Sequence, residues 1–114
     1  MLFNEKYAIS HINFSTGFIA IEHSGSEYSE DEPLTGLVRG FSRLIGQESE
    51  SLGTLQYKIR NSPHDFIIQW DGTYGVMIVA EDIRKMDEIV KYIKNSLYEI
   101  NYNSLYEERY RTGE

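Results

Sequence analysis

No cysteine occurs anywhere in the 114 residues, so the chain has neither a disulfide framework nor a thiolate metal site, a pattern that suits a reducing cytosol. Long apolar runs are missing too. Nowhere do the roughly 18 consecutive apolar residues of a membrane-crossing helix follow one another, and the opening Met1-Leu2-Phe3-Asn4-Glu5-Lys6 lacks the apolar stretch of a signal peptide. A cytoplasmic protein is expected. Basic residues are few, 11 Lys and Arg against 18 Asp and Glu, and the formal net charge of −7 repels phosphate backbones and anionic membranes. Neither nucleic acid nor a membrane is an expected partner, whereas a basic protein is attracted by such a field. Only two prolines punctuate the chain, which leaves most of it free for helix and strand.

Motifs of catalysis and cofactor binding are also lacking. Gly36, Gly40 and Gly46 lie within or at the end of a helical pattern, so no glycine loop follows a strand and opens a helix as nucleotide-binding loops do. The three histidines, His11, His23 and His64, form no i, i+4 pair on a helix. His11 and His23 could face each other across a hairpin and take a metal with Glu22, but exposed polar strand positions explain them equally well. No serine has an identifiable base. No catalytic residue, metal or cofactor is expected.

What is present is hydrophobic patterning. Hydrophobic residues make up 40% of the chain, enough for the core of one domain spanning residues 1–114. Residues 7–14 and 18–23 are rich in β-branched and aromatic types and are joined by Ser15-Thr16-Gly17, a hairpin signal. Residues 24–32 are small, hydroxylated and acidic and read as an exposed loop. Pro33 suits a first helical turn, with Glu30, Asp31 and Glu32 beside the positive end of the helix. Leu34, Leu37, Val38, Phe41, Leu44 and Ile45 then form one apolar stripe, and the helix should end somewhere in 46–53. Gly36 and Gly40 mark a flank open to close approach, by a strand of the same chain or by a second copy.

Residues 55–60 alternate as a half-exposed strand. Asp71-Gly72 between two apolar runs predicts a tight hairpin with positive φ at both positions. Residues 76–80 are apolar on both faces, the mark of a central strand. Asp82 is a cap for a second helix, whose stripe is Ile83, Met86, Ile89, Val90, Ile93, Leu97 and Ile100. Beyond it, Tyr98, Tyr102, Tyr106 and Tyr110 recur every four residues, either as an interfacial line on a continuing helix or within a flexible extension over 102–114.

These elements predict an α+β fold: a five-stranded antiparallel sheet with two main helices, in the order ββαβββα. The hairpin from Tyr7 to His23, the helix from Pro33 to Leu52, the meander from Leu55 to Glu81 and the closing helix from Ile83 resemble the profilin-like core of the roadblock and longin families. The resemblance covers roughly residues 7–101 and rests on element order. Because those families are mostly non-enzymatic adaptors that dimerise and bind small GTPases, it implies an interaction module; no functional residue carries over.

The leading expectation is a non-catalytic, self-associating adaptor or regulator, a homodimer. Its candidate contact residues are Gly36, Gly40, Trp70, Tyr74, Tyr98, Tyr102 and Tyr106, with Glu30, Asp31 and Glu32 for a basic partner. One alternative is an acidic inhibitor or immunity-type protein that neutralises a basic toxin or nuclease, with Glu27, Glu107 and Glu108 joining those acids at the contact. Another is an enzyme or ligand binder with a pocket around Tyr57, His64 and Trp70.

Overall fold

The computed structural model describes residues 6–24 and 32–111, with side chains over 7–24 and 33–102. The loop expected over 24–32 lies largely outside the described residues. The elements are β1 (Lys6–Asn13), β2 (Phe18–Ser24), α1 (Glu32–Ile45), β3 (Glu50–Gly53), β4 (Gln56–Ile59), β5 (Phe66–Asp71), β6 (Gly75–Ala80), a 3-10 turn (Ile83–Lys85) and α2 (Met86–Arg111). All strands join one antiparallel sheet in the spatial order β1-β2-β6-β5-β4-β3.

The α+β class and the two helices are as expected, but the sheet has six strands where five were predicted. The order is ββαββββα. The extra strand is β3, whose four residues Glu-Ser-Leu-Gly are all exposed and show no apolar alternation. It is an edge strand that pairs Glu50 with Lys58 and Ser51 with Tyr57, and the Arg60 guanidinium reaches the Glu50 carboxylate at 2.6 Å. The helix before it stops earlier than the expectation of a helix to Leu52. Gly46 adopts φ +76°, and the N–H groups of Gly46 and Gln47 both donate to the Ser42 carbonyl, at 2.8 and 3.2 Å, a left-handed cap that turns the chain off the helix.

Both hairpins form, with turns built on side chains. In the first, Asn13 Oδ1 accepts the N–H groups of Ser15 and Thr16 while the Gly17 N–H bonds Asn13 O at 2.9 Å. In the second, neither Asp71 nor Gly72 has positive φ; the left-handed residue is Gly75, at +79°. Asp71 pairs with Gly75, leaving a three-residue connection in which Asp71 Oδ1 accepts the Thr73 N–H at 2.7 Å. The predicted two-residue turn is therefore replaced by a three-residue loop with glycine at its end.

Both helices lie on one face of the sheet. Leu34, Leu37, Val38 and Phe41 of α1 and Met86, Ile89, Val90, Ile93, Leu97 and Ile100 of α2 are buried against Tyr7, Ile19, Ile21, Ile59, Phe66, Ile68, Val76 and Ile78 of the strands. Phe41 meets Phe66 edge to face, with ring centroids 5.1 Å apart, and each fully buried side chain of this kind contributes about 1.5–3 kcal/mol. Ile83, expected in the stripe of the second helix, belongs instead to the 3-10 turn capped by Asp82 and is exposed. Among the described residues no helix is long and apolar enough to cross a membrane.

Candidate functional site

The face of the sheet opposite the helices carries no described element. Register places His11, Phe18, Ala20, Ile67, Met77 and Val79 there, alternating with the core residues. Among the described residues helices cover β6 on one side only, yet Met77 on the other face is itself only 7% exposed. Tyr74, from the β5–β6 connection, lies back across this face: its ring stacks on His11 at 6.0 Å and meets Phe18 at 5.1 Å, and His11 and Phe18 are 5.7 Å apart. Ala20, paired with both His11 and Met77 in register, is only 1% exposed beneath this group, while Tyr74 itself is 48% exposed. Phe14 adds a further exposed ring at the end of the first hairpin.

The aromatic neighbours of Tyr74 are His11 and Phe18, not the Trp70 expected beside it. Trp70 pairs with Val76, whose side chain is in the core, so the indole emerges on the helix side of the sheet, away from the Tyr74 cluster. His11 and His23 do not face each other either. The turn sets His11 opposite Ala20, and a bulge between Ile9 and His11 then sets His23 opposite Tyr7. His23 thereby lies on the helix side, its ring 5.0 Å from that of Tyr7, and burial pushes its pKa down. Among the described residues no group of three His, Asp or Glu side chains is placed to hold a metal.

Gly40 supports the intramolecular reading of the glycine flank, with a helix in place of the expected strand. A Cβ there would lie 2.9 Å from Ile100 Cγ2 and 3.1 Å from Cγ1, so the space beside Gly40 is filled by α2 of the same chain. Gly36, one turn earlier, is half-buried. Tyr98 and Tyr102 project from α2 and are 76% and 62% exposed. The backbone stays helical to Arg111. The side chains of Glu32 and Tyr106, and residues Glu30 and Asp31, lie outside the described residues, as do Glu27 and the side chains of Glu107 and Glu108.

A feature with little sequence signal joins the two ends of the chain. The Asn101 side-chain amide accepts the Tyr7 N–H at 2.9 Å and donates to the Tyr7 carbonyl at 3.0 Å, as a neighbouring strand would. Beside this contact β1 and α2 enclose a groove of about 330 Å³ lined by Tyr7, Ala8, Ile9, Lys94, Leu97 and Asn101, with Tyr98 at its rim.

Neither the β1–α2 groove nor a depression near Pro63 is lined by Tyr57, His64 or Trp70, the residues of the expected pocket. His64 is engaged elsewhere: its Nε2 lies 2.7 Å from Glu88 Oε1 and its ring stacks on Tyr92 at 6.4 Å. That hydrogen bond holds the Glu88 carboxyl below its usual range, while burial raises the Tyr92 phenol. A depression of about 490 Å³ near Pro63 is lined by Asp65, Glu81, Asp82, Arg84 and Lys85, but Arg84 is tied to Asp82 at 3.0 and 3.2 Å.

Comparison with known proteins yields no match: no family profile, no curated protein and no solved structure is similar to this chain at a significant level.

Proposed function

We propose that the protein is a non-catalytic interaction module that self-associates through the uncovered face of its sheet. The observation that carries this reading is the ring group of His11, Phe18 and Tyr74, continued by Ile67 and Val79 on a face that no described helix covers. An apolar patch of this kind on an antiparallel sheet is a protein-contact surface more often than a solvated one. Six strands about 4.8 Å apart and about 20 Å long offer on the order of 600 Å² in projection, close to one partner's share of a standard interface. A second copy fits because a two-fold axis brings the same rings together from both sides, packing sheet on sheet. The reading agrees with the dimerising adaptors implied by the resemblance to the roadblock and longin families. That resemblance rests on element order, and the chain has one strand more than the order on which it was drawn.

Light scattering coupled to size-exclusion chromatography tests it. The full chain is expected to run as a dimer whose stability is insensitive to salt, and Val79→Lys and Tyr74→Ser are expected to give folded monomers. A monomer at all concentrations, or dimers unaffected by both substitutions, would overturn the reading.

A further inference from the structure

Strand β1 is an edge of the sheet, and among the described residues only Asn101 bonds its outer side. Because Tyr7 turns both its N–H and its C=O toward Asn101, it forms a non-hydrogen-bonded pair with His23 across the ladder. Ile9, two residues on and before the bulge, has the same orientation, so its N–H and C=O also point outward, into the groove beside α2. Leu97 and Ile9 give that groove an apolar floor, Tyr98 a broad exposed ring and Lys94 a cation with no carboxylate partner among the described residues.

We infer that the β1–α2 groove binds an extended segment of another polypeptide by strand addition, pairing its backbone with Ile9 and setting an acidic side chain on Lys94. Three features fit this occupant. The Asn101 amide already makes, at Tyr7, the paired N–H and C=O contacts that an added peptide group would make, so the slot has the geometry of a ladder and is closed at one end. The bulge at Ser10 ends the regular edge at the other side, which limits the pairing to a short segment and guards against indefinite strand stacking. Lys94 supplies the charge complementarity that selects an acidic peptide over a neutral one and fixes its register. The groove lies on the helix side of the sheet, opposite the Tyr74 cluster, so its occupancy is separable from self-association.

Panning a phage-displayed library of random dodecapeptides against the immobilised full chain tests the inference, followed by fluorescence anisotropy with the enriched peptides. Enriched sequences are expected to alternate apolar residues around one Asp or Glu. They should bind Lys94→Glu at least tenfold more weakly than wild type, and their acid-to-amide versions should lose a comparable factor. Ile9→Pro, which removes an outward N–H that β2 does not use, should also weaken binding at least tenfold; amide shifts in labelled protein should map to residues 8–10 and 94–101. Peptides without an acidic position, equal binding to Lys94→Glu, or shifts confined to the Tyr74 face would overturn it. So would the absence of any enriched sequence, or β1 amide shifts that change with protein concentration alone, which would assign the edge to a second copy.

Discussion

Asn101 stands in for a seventh strand at Tyr7: one side-chain amide satisfies both backbone groups of a residue 94 positions away. Buried or half-buried backbone groups at a sheet edge need such partners, and a side chain that offers a donor and an acceptor together can supply them.

Asn101→Ala leaves the Tyr7 N–H and C=O without that partner and is expected to lower stability by about 1–3 kcal/mol, since two hydrogen bonds of ordinary net worth are lost. Asn101→Asp should be worse than the lost donor alone suggests, because a carboxylate oxygen then faces the Tyr7 carbonyl. Urea unfolding reads both as a lower midpoint at unchanged slope. An unchanged midpoint in Asn101→Ala would show that water satisfies the edge equally well.

Gly40→Ala sets helix propensity against packing. Alanine is worth about 1 kcal/mol over glycine in a helix interior, but the new methyl meets Ile100 at 2.9–3.2 Å, and overpacking of this kind costs about 1–3 kcal/mol. Net destabilisation is expected in the wild-type background. In an Ile100→Ala background the sign should reverse, because the methyl then fills the space that the isoleucine left. A double-mutant cycle by chemical denaturation measures this coupling directly. Stabilisation in both backgrounds would mean that α1 and α2 separate readily at this crossing.

His23 gives stability a pH dependence of definite sign. Burial holds its folded pKa below the ordinary value of 6.5, so between those two values the unfolded chain binds more protons than the folded one. Stability is therefore full above about pH 6.5 and falls as the pH drops below it. Thermal unfolding at pH 7.5 and 5.5 should show a lower Tm at the acid value, and His23→Asn should diminish the difference. Carboxylates held low by their partners, such as Glu88 beside His64, titrate below this window. A Tm independent of pH between 5.5 and 7.5 would contradict the burial of this ring.

Much of the core was legible in the sequence because burial imposes a period. The stripes of α1 and α2 read true at Leu34, Leu37, Phe41, Ile89, Ile93 and Leu97, all buried. Period fails where burial is absent. Strand β3 is exposed at every residue and is held by its backbone pairing and an exposed ion pair, neither of which leaves a hydrophobic trace.

The candidate surfaces divide in the same way. Tyr74 stood out as an aromatic at a turn, yet its neighbours His11 and Phe18 depended on hairpin register, and the extra residue at Ser10 decides which of Tyr7 and Ala8 faces His23 and so which side of the sheet His23 takes. Asparagine is a weak helix former, and nothing in the local pattern singles out Asn101. Its value lies in a contact with Tyr7 that no local pattern encodes, although a polar residue one position after the buried Ile100 is a spacing that hints at a half-buried role.

The sheet is sewn from two locally connected pieces, the β1–β2 hairpin and the β3–β6 meander, and the seam between them is the pairing of β2 with β6. Roughly 60 residues must be translated after Phe18 before its partner Val79 exists, which at about 5–20 residues per second is about 3–12 s on the ribosome. Throughout that interval a two-stranded ribbon, too small to be stable alone, lacks α2 over its apolar face and β6 beside Ile19 and Ile21. For the nascent chain, the tempo of synthesis across α1 to β5 thus governs how long its stickiest segment waits for shelter.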